Sequence, residues 1–251
     1  MTKLTVNRTD FLGFLNSFTK GMQDLRLQCA GARIVVEVGF SQYYLRKNFL
    51  GANIEEEGVI HIALLDKMVR FLKASKQDLV YLRQLTPVKP LHIEAGANKL
   101  QIPSTDDITS ASKTVVMGDL ATKCAKSGWT KFYKAELIAH GTIPDTKDLV
   151  ALAGMKGLIA DSSQYKLRVH CGENELGIVA GKAASGRLFT SLPIRDTDGP
   201  CKTIQSFFGE WLPTCLQYLD NESARFHIGD GTLVVFEQQN TLLMIIDEGE
   251  D

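Results

Sequence analysis

The sequence predicts an α+β protein in which two similar halves follow one another. Three observations carry this. Stretches with helical periodicity alternate with short runs of strand character, in the same order in each half. The strand-like runs are punctuated by Gly, Asn, Ser and Pro, as antiparallel connections require. The composition, 44% hydrophobic and 23% charged over 251 residues, is that of an ordinary globular chain long enough for two medium domains.

The first helix is expected over Thr9–Gly21, with Thr9 or Asp10 as cap and Phe11, Leu12, Phe14, Leu15 and Phe18 as its apolar stripe. Strand-like runs follow at Leu25–Cys29, Arg33–Val38, Tyr43–Phe49 and Val59–Ala63. A second helix is expected over Leu64–Ser75, then further strands at Leu79–Leu85, Leu91–Ala95 and Lys99–Ile102. Beyond Ile102 the texture turns rich in Ser, Thr and Asp, and Pro103 discourages further pairing. Residues 1–103 therefore read as one domain, 104–130 as a connector and 131–251 as a second domain. In that second domain strands are expected at Phe132–Thr142, Leu158–Asp161, Lys166–Cys171, Leu176–Ala180 and Arg187–Pro193. The last three are Ala224–Ile228, Thr232–Glu237 and Thr241–Ile246. Helices are expected at Asp145–Met155 and about Cys201–Trp211, the latter ending near Pro213.

The formal net charge is −1, so binding to nucleic acid would require basic residues gathered on one face. The second helix offers such a face. At about 100° per residue, Leu64, Leu65, Met68, Phe71 and Leu72 fall on one side. Lys67, Arg70 and Lys73 fall on the other, with Lys76 just beyond the end and Asp66 the lone acid. Lys20 on the first helix, and Lys147 and Lys156 on the third, extend this set. Long cationic side chains on one face suit a phosphate backbone and carry no sequence information. A solvated helix face is the competing reading.

Catalytic and metal chemistry finds little support. The cysteines Cys29, Cys124, Cys171, Cys201 and Cys215 form no Cys-x-x-Cys pair and read as reduced thiols. His61, His92, His140, His170 and His227 are dispersed, and no phosphate-binding or nucleophile motif is present. No cofactor or metal is expected. With no signal-like start and no apolar run near 20 residues, the expectation is a soluble intracellular protein of the cytoplasm or nucleoid, without membrane contact.

Several long stretches resemble the DNA polymerase sliding clamps, the phage-type and proliferating cell nuclear antigen-like processivity factors more closely than the bacterial ones. In the first half these are GVIHIALLDKMVRFLKASKQDLVYL and LHIEAGANKLQIPS. In the second they are TIPDTKDLVALAGMKGLIADSSQYKLRVHCGENELGIVAG and the C-terminal IQSFFGEWLPTCLQYLDNESARFHIGDGTLVVFEQQNTLLMIIDEGED. The resemblance covers nearly the whole chain and rests on element order. It implies two tandem DNA-clamp domains, with helices lining a central channel and antiparallel sheets outside. It implies a non-catalytic, viral-type replication factor. Such a factor forms a homotrimeric ring on double-stranded DNA, tethers a DNA polymerase and is opened by a clamp loader. A partner-peptide pocket is implied near Tyr43, Val115, Met117, Ile245 and Ile246. The alternative is a clamp-fold accessory or adaptor protein that does not encircle DNA, motivated by a fourth helix without a basic face.

Overall fold

A computed structural model describes residues 1–19, 21–39, 43–104, 131–132, 135–152, 164–170, 174–180, 188–198, 203–208, 211–229 and 233–246. The chain divides into two compact units: Met1–Glu37 with Arg46–Ser112, and Val38–Leu45 with Lys113–Asp251.

The first unit opens with β1 (Thr2–Asn7) and α1 (Arg8–Asn16). It continues with β2 (Leu25–Ala30), β3 (Arg33–Gly39), β4 (Tyr43–Leu50), β5 (Asn53–Glu56) and β6 (Gly58–Ile62), of which the end of β3 and the start of β4 belong to the second unit. Then come α2 (Leu65–Ala74), β7 (Leu79–Gln84), β8 (Leu91–Ala95) and β9 (Asn98–Ile102). A five-stranded sheet runs β5-β1-β7-β8-β9, and β2 pairs with β3 on one side and β6 on the other. All the registered pairings are antiparallel.

Alternation in the sequence decides which face of each strand is buried. Leu4 and Val6 of β1, Val80 and Leu82 of β7, and Leu91 and Ile93 of β8 point into the core. On the opposite face Lys3 pairs with Glu56 at 2.8 Å, and Arg83 and Lys99 flank Glu94. The two helices pack side by side and bury Phe11 and Leu15 of α1 with Leu65, Met68 and Leu72 of α2. Phe11, Phe14, Phe18 and Phe49 form an aromatic cluster, with neighbouring ring centroids 5.2–6.2 Å apart. Gln84, at the end of β7, is 1% exposed; its Oε1 accepts the His61 amide at 2.7 Å, and its Nε2 donates to the Lys89 carbonyl at 2.7 Å.

The second unit contains β10 (Lys131–Phe132), β11 (Ala135–Ile143), α3 (Lys147–Ala151), β12 (Gln164–His170), β13 (Glu175–Ala180) and β14 (Leu188–Pro193). It ends with β15 (Arg195–Asp198), β16 (Thr203–Phe208), α4 (Trp211–Leu216), β17 (Ala224–Gly229), β18 (Leu233–Glu237) and β19 (Thr241–Ile246). Its pairings repeat those of the first unit strand for strand. β15-β11-β17-β18-β19 corresponds to β5-β1-β7-β8-β9, and β14-β13-β12-β16 to β4-β3-β2-β6. The short β10 is an addition that, among the described residues, pairs with β11 alone. Even the tie at the helix start recurs: the Arg8 amide donates to the Asp78 carbonyl at 2.7 Å, and the Thr146 amide to that of Glu222 at 3.1 Å.

Several elements differ from the sequence expectation. The segment expected as a helix over Cys201–Trp211 contains β16, which pairs antiparallel with β12 from Thr203 to Phe208. Ile204 and the Phe207–Phe208 pair suit a strand, and partnership with β12 decides the outcome. The helix starts at Trp211, so Pro213 lies in its first turn, where a missing N–H breaks no helical hydrogen bond. The first helix ends at Asn16, five residues early, and its cap is Asn7, whose Oδ1 accepts from the amides of Thr9 and Asp10 at 2.9 and 3.2 Å. The strands β1, β5 and β15 were not expected, although Leu4 and Val6 carry the alternation that marks β1. The connector from residue 105 onward and the strand expected at Leu158–Asp161 lie outside the described residues.

His227 of β17 stands opposite His140 of β11, with ring centroids 6.0 Å apart. Burial, helped by nearby Arg225 and His140, lowers the His227 imidazole to about 4. A histidine whose folded pKa is depressed resists protonation in the native state, while the unfolded chain takes up the proton near pH 6.5. Stability therefore rises with pH from about 4 to about 6.5, by up to about 3 kcal/mol. Urea unfolding of the wild type and His227→Gln across pH 4–7 checks this: the variant should show a flatter profile in that window.

Candidate nucleic-acid interface

The candidate interface is the exposed side of α2. The helix buries Leu65, Met68, Val69 and Leu72, and this apolar stripe fixes its rotation on the core. Asp66, Lys67, Arg70 and Lys73 are left in solvent, and Lys76 follows in the exposed turn. Phe71 is half-buried, and Leu64, expected on the apolar side, is exposed at the helix entry. Among the described residues, no ion pair engages Lys67, Arg70, Lys73 or Lys76, so these cations are offered to solvent. Lys67, Arg70 and Lys73 recur every third residue, about 4.5 Å apart along the axis.

Arg8 stabilises the far end of this helix. Its Nη1 donates to the Leu72 carbonyl at 3.4 Å, and its Nε to the Gln77 carbonyl at 3.1 Å. The last carbonyls of a helix lack intrahelical donors and carry partial negative charge, so a guanidinium satisfies both needs. Arg8 thereby ties the start of α1 to the turn that presents Lys73 and Lys76. At the other end the Leu65 amide donates to the Gln23 carbonyl at 2.8 Å. Next to Gln23, Asp24 accepts from His61 Nε2 at 3.1 Å, a hydrogen bond that holds the Asp24 carboxyl below its usual range. Arg8 is illegible as a capping group in the sequence, because its acceptors lie more than 60 residues away.

The remaining predicted residues are scattered in their surroundings. Lys147 is exposed at the start of α3, where its amide bonds to Asp145 Oδ1 at 2.8 Å. Lys20, Lys156, Val115 and Met117 lie outside the described residues. Tyr43 is 3% exposed and stacks on Tyr218 with ring centroids 6.2 Å apart. Ile245 is buried and Ile246 half-buried on β19. Tyr43 and Ile245 thus face packed interior, and Ile246 offers more surface than either.

The thiols are poorly placed for nucleophilic chemistry. Cys29 and Cys215 are buried, and burial pushes Cys29 up to about 12 and Cys215 higher still. Among the described residues, no cluster of three His, Cys, Asp or Glu residues could hold a metal ion. No described helix is long and apolar enough to cross a membrane.

The sequence matches no protein-family model and no curated protein. Solved structures match over nearly the whole chain. The Helicobacter pylori beta clamp bound to a DNA ligase peptide is 14% identical, with a TM-score of 0.67, over 99% of this chain and 67% of that one. The Bacillus subtilis DNA polymerase sliding clamp is 13% identical, with a TM-score of 0.68, over 100% and 66%. The beta chain of DNA polymerase III from Streptococcus pneumoniae is 10% identical, with a TM-score of 0.68, over 100% and 66%. The fold is that of a DNA sliding clamp. This chain spans about two-thirds of the three-domain bacterial clamps, in keeping with its two repeats. The clamp fold is normally non-catalytic.

The Arg8 contacts predict that Arg8→Gln destabilises the last turn of α2 by about 1 kcal/mol. Amide hydrogen exchange checks this: the amides from Lys73 to Gln77 should lose protection, while those of β8 stay unchanged.

Proposed function

We propose that this chain is a DNA sliding-clamp subunit and processivity factor. Three copies close into a ring of six repeats that encircles duplex DNA and tethers a DNA polymerase. The observation that carries the reading is a clamp fold, duplicated strand for strand, whose first repeat exposes Lys67, Arg70 and Lys73 on one helix and Lys76 just beyond it, none of them in an ion pair among the described residues. Edge strands support it further. Among the described residues β9 ends the five-stranded sheet of the first unit and β14 ends the four-stranded sheet of the second, so each offers a row of backbone donors and acceptors to another copy. Ring topology holds the protein on DNA, and phosphate contacts without base readout leave it free to slide.

Opening such a ring falls to a separate clamp loader, because this sequence has no nucleotide-binding loop. The 104–130 connector and the C-terminal strand, with Tyr43, Val115, Met117, Ile245 and Ile246, are the proposed docking region for partner peptides. In the Helicobacter pylori clamp the bound partner is a DNA ligase peptide. Because Tyr43 and Ile245 are buried, they act as the floor of that region, and Ile246 stands nearer its opening.

A second reading has one observation in its favour. The helix α4 carries no charged residue, which suits a clamp-fold adaptor that does not enclose DNA. Light scattering coupled to size exclusion separates the two. A mass of three chains that persists on dilution is the expected result, and a single-chain mass at all concentrations would leave only the adaptor. Charge reversal by Lys67→Glu, Arg70→Glu and Lys73→Glu together should abolish processive synthesis without changing the unfolding free energy by more than about 0.5 kcal/mol. Primer-extension lengths measured alongside urea unfolding test that outcome.

A further inference from the structure

The duplication makes the helices of the two units directly comparable. α1 of the first unit corresponds to α3 of the second, and α2 to α4. The corresponding helices differ sharply in charge. α2 has ten residues, of which Asp66, Lys67, Arg70 and Lys73 are charged and exposed. α4 has six residues, Trp-Leu-Pro-Thr-Cys-Leu, with Leu212, Cys215 and Leu216 buried and Thr214 half-buried and already engaged. No cation stands where α2 has three. In the α1–α3 pair, Arg8 is spent on the carbonyls of Leu72 and Gln77, and Asp10 is the only other charge in α1. Lys147 of α3 is followed directly by exposed Asp148. Across 145–157 the sequence is balanced, with Asp145 and Asp148 against Lys147 and Lys156.

We propose that the duplex is held by the first repeat alone: α2 supplies the phosphate contacts of each chain, and the matching helix of the second repeat is a neutral wall that excludes space without attracting DNA. This rests on the reading of the chain as a DNA-encircling clamp. The physical reason is the linear dependence of phosphate binding on the number of cations engaged. Each phosphate contact contributes about 0.9 to the slope of log affinity against log salt. A Lys–Asp neighbour pair presents almost no net field beyond the roughly 10 Å screening length at moderate salt. A trimer would then show three cationic stripes separated by neutral sectors, and the duplex would contact them in turn as it tilts and slides.

The test uses the full chain and a short linear duplex, whose free ends let a closed ring thread without a loader. Lysines are acetylated with and without the duplex and quantified by mass spectrometry. Lys67, Lys73 and Lys76 should lose reactivity severalfold, while Lys147 of the second unit reacts equally in both samples, as does Lys99 on the sheet of the first. In parallel, duplex affinity is measured against salt for wild type and for Lys67→Gln/Arg70→Gln/Lys73→Gln, whose slope should fall by about 0.9 for each cation engaged in the wild type. Protection of Lys147 equal to that of Lys73 would overturn the one-repeat assignment and leave the clamp reading in place. Duplex binding with no protected lysine in α2 would overturn the assignment from the other side. A wild-type ring that retains no duplex at any salt would remove the clamp reading itself, and the inference with it.

Discussion

Antiparallel pairing between the first strand of each repeat and the strand that follows its second helix is the constraint on which the rest of the structure depends. β1 pairs with β7 over their full lengths, from Thr2 opposite Gln84 to Asn7 opposite Leu79. β11 pairs antiparallel with β17 from Leu137 to Ile143, with a register shift between Leu137 and Ala139. Each pairing joins residues about 70–90 positions apart in sequence and closes the repeat on itself. It places the start of the first helix beside the turn that leads into the later strand, through the bonds from Arg8 to Asp78 and from Thr146 to Glu222. Without that closure α1 and α2 would not lie together, and Arg8 would not reach the end of α2.

The same closure turns a local pattern into a presented surface. The apolar stripe Leu65, Met68, Val69 and Leu72 fixes the rotation of α2, so Lys67, Arg70 and Lys73 have only solvent to face. The polar network around Gln84, His61 and Asp24 then holds the helix entry, while Arg8 holds its exit. Both amide atoms of Gln84 are matched donor to acceptor, which favours one geometry over its neighbours, while His61 Nδ1 is buried without a hydrogen-bond partner among the described residues. The interface therefore combines a cationic face set by the helix itself with an orientation set by residues remote in sequence. The second unit uses the same topology with different chemistry: Thr146 and Gln238 bond around Asp220, and no guanidinium caps α4 there among the described residues.

Much of this was legible in the sequence. The alternation in Leu79–Gln84 and Leu91–Ala95, and the helical period of Leu65–Leu72, are strong signals because one face of each element is buried and the other is not. The basic face of α2 followed from the same periodicity. The Cys201–Trp211 segment misled because its apolar residues fit a helix as well as a strand, and the choice depended on β12, about 40 residues earlier in the chain. The roles of Arg8 and Gln84 were illegible for a related reason. Their partners are backbone carbonyls and amides, which carry no residue identity for a sequence to display.

The sequence by itself determined the α+β class, the two-fold recurrence of element order and the cationic stripe on one helix, because each follows from the local spacing of apolar and charged residues. Only the tertiary structure decided that the recurrence is a strand-for-strand duplication, that Thr203–Phe208 is a strand, and that Tyr43 and Ile245 are packed inside. These depend on which distant strand each segment meets. Pairing energy is shared along a ladder of backbone bonds rather than lodged in any one side chain, so the partner is chosen by the whole fold.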